Sequence, residues 1–173
     1  MVTSKGESPR EKQQGEALMK TSKVRSPRES QQGKALMATR IYKEVSFDAS
    51  HRLLHYEGKC RNLHGHRWKV EVWIEGEVDE ATSILVDFNL VKSVIERFDH
   101  QVILNEGDPM VGCLTRFQTV ITTPGDPSSE MLARRIREML TAETPLNLPS
   151  VQINRIRVWE SPTCCAEITN ENK

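Results

Sequence analysis

The sequence predicts an α+β domain, an antiparallel sheet with two helices packed on one face. Three observations carry this. Residues 67–75, RWKVEVWIE, alternate strictly, with Trp68, Val70, Val72 and Ile74 on one side and Lys69, Glu71, Trp73 and Glu75 on the other. That is the period of a half-buried strand. Two later stretches, one from Leu90 and one from Pro124, change to a helical period. A final apolar stretch, VQINRIRVWE at 151–160, returns to the strand period.

Taken in order, residues 41–47, IYKEVSF, place Ile41, Val45 and Phe47 on one face and predict the first strand. Residues 67–75 form the second. GEVDEATS supplies a turn, and ILVDF at 84–88 reads as a returning strand. Leu90, Val91, Val94, Ile95 and Phe98 mark the first helix, with Asp87 or Asn89 as its cap. A loop containing Gly107, Asp108 and Pro109 follows, and QTVITT reads as a short strand or extended segment. The second helix runs through PGDPSSEMLARRIREML, with Asp126 or Ser128 near its N-cap and Pro127 in its first turn. In the last strand the apolar phase slips between Ile153 and Ile156, which predicts a bulge.

Before this domain lies a different kind of chain. Residues 4–21 and 22–39 are a tandem duplication of period 18, identical at 13 positions. Two copies are too few for a solenoid. The segment has no aromatic residue and one β-branched apolar residue, Val24. It cannot bury enough surface to offset its ordering entropy, so residues 1–39 read as a disordered tail and 40–173 as the domain. Met37 is an alternative start. The tail holds 8 Lys+Arg against 4 Asp+Glu, and the remainder 16 against 20. A net-acidic body gives no general case for nucleic-acid binding. There is no secretory h-region and no apolar run long enough to span a membrane, so the expectation is a cytoplasmic protein with reduced thiols.

Chemistry concentrates in CRNLHGH, residues 60–66. His64 and His66, at i and i+2 of a strand, project to the same side. A third histidine would complete a zinc site with one open position, the catalytic rather than the structural arrangement. His51 and His55 are the candidates, with His51 favoured because it follows the first strand closely. A closed structural site made of Cys60 and three histidines is the competing arrangement. Against it, Lys59 and Arg61 flank Cys60, and two cations favour a reactive thiolate. Two further candidates lie downstream. Asp99 and His100 form a possible acid–base couple or a plain helix-end polar pair. Glu160 ends an apolar strand, either as a solvated charge or as a bidentate acceptor for a guanidine-like edge.

Six motifs in order, FDASHRL, CRNLHGH, VDFNLVK, FDHQVILNE, DPSSEMLARRI and VWESPT, resemble the 6-pyruvoyltetrahydropterin synthase/6-carboxytetrahydropterin synthase family between Ile41 and Ile168. The resemblance implies the tunnelling fold and a homohexamer of trimers whose sheets close into a barrel. It implies a zinc ion on His51, His64 and His66, Cys60 as catalytic cysteine, and Asp99 with His100 as a catalytic pair contributed across a subunit interface. Glu160 matches the anchor of the pterin ring. Ser128 stands where the family often has threonine and keeps a substrate-facing hydroxyl. The implied substrate is 7,8-dihydroneopterin triphosphate. Local charge makes Arg52, Lys59, Arg61 and Arg67 candidates for its triphosphate. The CxxxHGH spacing resembles the carboxytetrahydropterin branch of queuosine biosynthesis. The pyruvoyl branch usually has a longer spacing, and a folate-linked branch replaces the cysteine with glutamate. Cys113, Cys164 and Cys165 lie outside this pattern.

Overall fold

A long antiparallel hairpin organises the chain. β1 (Thr39–His51) and β2 (His64–Gly76) pair along their whole length, from Thr39 opposite Gly76 to His51 opposite His64. The computed structural model describes residues 38–143 and 150–170. The readings of the duplicated tail fall outside the described residues, apart from its last two positions.

Both hairpin strands outrun the sequence reading, because the alternation of Val45, Phe47 and Ala49 against Trp68, Val70, Val72 and Ile74 continues into polar ends. α1 (Phe88–Ile95) is capped by the Asp87 carboxylate, which accepts from the Asn89 N–H. A 3-10 turn, Glu96–Phe98, extends it. β3 (Gln101–Asn105) follows, then the short α2 (Val111–Leu114) and β4 (Val120–Thr123). α3 (Ser129–Ala142) is capped by the Ser128 hydroxyl, which accepts from the Met131 N–H. β5 (Val151–Ser161) and β6 (Cys164–Thr169) complete the chain.

The sheet has six strands in the order β4-β3-β1-β2-β5-β6. The long strands pair antiparallel, as the sequence predicts. β3 and β4 add on in parallel, so the sheet is mixed. Val91, Val94, Ile95 and Phe98 before β3, and Leu132, Ala133, Ile136 and Leu140 of α3, share one core with the inward residues of β1, β2 and β5. Trp68 and Phe98 are the large side chains at its centre, both fully buried.

Three details depart from the sequence reading. ILVDF is not a strand. Leu85 and Val86 are buried in the core but join no ladder: β1 and β2 already have neighbours on both sides, and the open edges of the sheet are β4 and β6. β3 and β6 were not expected. Pro127 precedes the cap of α3 instead of entering its first turn. The phase slip in β5 is a bulge: Trp73 opposes Arg155 and Ile74 opposes Ile153, leaving Asn154 unpaired. No helix among the described residues is long and apolar enough to cross a membrane.

Candidate metal centre

The full register of the hairpin brings histidines together at one end. His51 lies opposite His64, and Ala49 opposite His66. The ring centroids of His51 are 4.5 Å from His64 and 5.2 Å from His66, and those of His64 and His66 are 4.9 Å apart. Trp68 forms the floor, edge-on to His51 at 4.9 Å. Its own N–H donates to the Ala49 carbonyl at 3.3 Å.

Two backbone carbonyls orient the rings. His51 Nδ1–H donates to Pro127 and His64 Nδ1–H donates to Asn62, each at 2.8 Å. A bond at Nδ1 leaves the Nε2 lone pair free, the usual way a protein sets a metal-binding tautomer. The Nε2 atoms of His51, His64 and His66 are all buried without a hydrogen-bond partner. Three such atoms aimed at one point are what a cation would satisfy. Glu160 adds a carboxylate oxygen, 3.2 Å from His66 Nε2 and 3.4 Å from His51 Nε2. The donor atoms of these four residues lie within 4.8 Å of one another. Burial pushes His51 down to about 4, against the pull of the Pro127 bond, and His64 and His66 lower it further. Burial also lowers His66, opposed by Glu160. Neutral imidazole is the ligand form.

Of the two candidates for third histidine, His51 joins the cluster. His55 is 73% exposed and bonds Asp126 at 3.1 Å. Cys60 is not among the clustered donors. It sits partly buried, as a free thiol, in a 3-10 turn spanning Lys59–Arg61. That turn leads straight into Asn62, whose carbonyl orients His64, so the cysteine loop and a ring of the histidine cluster are mechanically linked. Lys59 and Arg61 are exposed beside the thiol. Arg52 is held elsewhere, in a bidentate pair with the buried Asp108 at 2.6 Å.

Asp99 and His100 form a built couple. Asp99 Oδ2 accepts from His100 Nδ1 at 2.8 Å, and Asp99 Oδ1 accepts from the Asp48 N–H at 2.9 Å. The Asp48 N–H, then His100, hold the Asp99 carboxyl below its usual range. His100 has φ 57°, the left-handed region, and its N–H donates to the Asp48 carbonyl at 2.7 Å. A non-glycine residue there is uncommon and is held by its surroundings.

Gly65, His66 and Arg67 line two open cavities. One, of about 520 Å³, is lined by His66, His100, Arg67 and Gln118. The other, of about 630 Å³, is lined by His66, Arg67, Lys69, Trp159 and Glu160. A Cβ at Gly65 would sit 3.3 Å from Ser50 Oγ, a tight contact. Ser128 caps α3 beside Pro127, one residue from the carbonyl that holds His51. Sequence reasoning missed the two orienting carbonyls, because a backbone acceptor has no residue signature. It also missed Lys69, whose strand position was legible but whose cavity was not.

Fold and site together define an α+β protein with three histidines and a nearby carboxylate, a cluster that could hold a metal ion, at the end of a long hairpin. The family model described as 6-pyruvoyl tetrahydropterin synthase matches residues 40–171. The chain belongs to that family of pterin synthases. It is 37% identical to a putative 6-carboxy-5,6,7,8-tetrahydropterin synthase of Pyrococcus abyssi, over 75% of this chain and 89% of that protein. It is 33% identical to the 6-carboxy-5,6,7,8-tetrahydropterin synthase of Haemophilus influenzae, over 74% of this chain and 96% of that one. Among solved structures, the 6-pyruvoyl tetrahydropterin synthase of Caenorhabditis elegans shares the fold with TM-score 0.56 at 24% identity, covering 78% of this chain and 97% of that one. The tunnelling fold is thus the fold of this chain.

Proposed function

We propose that the chain is a zinc-dependent 6-carboxy-5,6,7,8-tetrahydropterin synthase. It converts 7,8-dihydroneopterin triphosphate to 6-carboxytetrahydropterin, acetaldehyde and triphosphate, for queuosine biosynthesis in the cytoplasm. The observation that carries this is the convergence of three partnerless Nε2 atoms from which Cys60 is excluded. A closed structural site would have drawn the thiol into the donor set.

In this reading His51, His64 and His66 hold the metal. Nitrogen donors with a carboxylate beside them suit zinc. Zinc there supplies Lewis acidity toward the hydroxyls of the substrate side chain. Cys60 removes a proton, and His100, with Asp99 fixing its tautomer, returns one. Glu160 takes the guanidine-like edge of the pterin and Ser128 offers a hydroxyl nearby. Arg67, Lys59 and Arg61 face the triphosphate, while the Asp108 pair makes Arg52 a structural cation first. The domain is residues 40–173, and the assembly is a homohexamer. The family description and the Caenorhabditis elegans structure, both 6-pyruvoyl tetrahydropterin synthase, support the neighbouring activity, 6-pyruvoyltetrahydropterin formation, as the alternative.

The test is a mass-spectrometric product assay of zinc-loaded protein given 7,8-dihydroneopterin triphosphate. Carboxytetrahydropterin with acetaldehyde supports the proposal. Pyruvoyltetrahydropterin without acetaldehyde moves the chain to the other activity.

A further inference from the structure

Glu71 lies midway along β2, on the sheet face away from the core, yet it is only 8% exposed. Its carboxylate is the hub of a network joining β1, β2 and β5. Trp159 Nε1–H donates to Oε2 at 2.7 Å, and the Tyr42 hydroxyl lies 3.0 Å from Oε1. Lys69 and Arg157 each approach within 3.5 Å. Burial alone would raise its pKa. The donated Trp159 and Tyr42 bonds, with the two cations, bring it below the ordinary range. The core does not need this charge, since Val70 and Val72 on either side supply the inward packing.

What the hub holds is Trp159. Lys69 lies 4.8 Å from its ring centroid and Arg157 5.6 Å. Trp159 is also the last regularly paired residue of β5. It opposes Lys69 on one side and Cys165 on the other. The next pair is Ser161 with Cys164, so Glu160 is skipped in the β5–β6 ladder, and the β2–β5 ladder has already ended. Glu160 therefore has no cross-strand partner on either side. A residue at such a bulge takes its direction from its neighbours. Beyond it, Ser161 pairs with Cys164 through the backbone, but its side chain makes only long contacts with Thr163, 3.5 Å between the hydroxyls. The side anchored through its side chain is Trp159.

We propose that Glu71 is a positioning residue: by gripping the Trp159 indole it fixes the bulge that aims Glu160 at His51 and His66. The consequence for ligand binding rests on the metal-centre reading above; the aiming itself does not. A side chain without ladder support needs its neighbours locked to hold sub-ångström geometry.

The test uses the full chain with Trp159→Phe, which keeps a ring but drops the donor, and Glu71→Gln, which keeps an acceptor. Crystal structures of the metal-free proteins read the aim directly. Trp159→Phe is expected to release the Glu160 carboxylate from the histidines, and Glu71→Gln to retain it. Zinc competition titrations then read the consequence. Trp159→Phe should weaken zinc about tenfold, as loss of an outer orienting partner does, and Glu71→Gln by less than about threefold. In a Glu160→Gln background Trp159→Phe should cost nothing further, since the effect acts through Glu160. Glu160 unmoved in the Trp159→Phe structure, or full additivity in the double variant, overturns the proposal. A wild-type chain that binds no zinc would instead overturn the metal-centre reading, and the crystal structures would still decide the aim.

Discussion

The three histidines and the Asp99–His100 couple are held with equal care but face opposite worlds. His51 is fully buried, its ring fixed by Pro127 from behind. The His100 side chain is 80% exposed, although Asp99 and the Asp48 backbone grip it just as tightly. A ring packed inside can be oriented by whatever surrounds it. A ring pointing outward needs an ion pair and a left-handed backbone to hold its direction. The histidine cluster could thus hold an ion, while the His100 ring is left open to solvent.

Substitutions can break each half of that contrast separately. The largest effect is expected at His64. His64→Ala should abolish stoichiometric metal binding while leaving the fold intact, read by metal analysis and circular dichroism. Next is Arg52→Met, which leaves Asp108 buried and unpaired. It should cost about 3–5 kcal/mol in denaturant unfolding, the usual penalty for breaking a buried pair.

Acid should act on buried His51. Unfolded His51 takes up its proton near pH 6.5 and folded His51 near 4, so the unfolded chain binds more protons between these values. Stability of the metal-free protein is then complete above about pH 6.5 and is lost as pH falls toward 4, by roughly 3 kcal/mol from this residue. A flat melting temperature across that window would remove the burial argument.

Effects on the exposed half should be kinetic. Asp99→Asn should lower kcat by about a hundredfold through loss of tautomer and basicity control, with zinc content unchanged. The smallest effect belongs to Arg67, 74% exposed and paired with Asp48 at 3.3 Å. Arg67→Ala should raise KM severalfold, by about 1 kcal/mol or less, and more at low salt than at high.

Much of the site was legible because strand period is rigid. HGH at the mouth of an alternating stretch already places two imidazoles on one side. Position after the first strand favoured His51 over His55 without deciding between them. The choice depended on β1 running to residue 51, beyond its apolar stretch, so that His51 meets His64 across the ladder. The strand misread at ILVDF shows the converse: Leu85 and Val86 are buried as the pattern implies, but they pack on the core without joining β1 or β2, each of which already has two neighbours. β6 is an edge strand with no fully buried residue, and its two adjacent cysteines break the alternation, so its pattern is faint. Glu71 looked like an outward charge of an amphipathic strand. Only the arrival of Trp159 and Arg157 from a strand more than 80 residues away makes it a buried hub.

The most direct test of the central claim, that histidines hold the metal while the cysteine works beside it, is to measure zinc content and product formation together in Cys60→Ala. The account expects wild-type zinc stoichiometry and melting temperature with turnover lost. Loss of zinc and of folded stability in that variant would contradict it and make Cys60 a structural ligand.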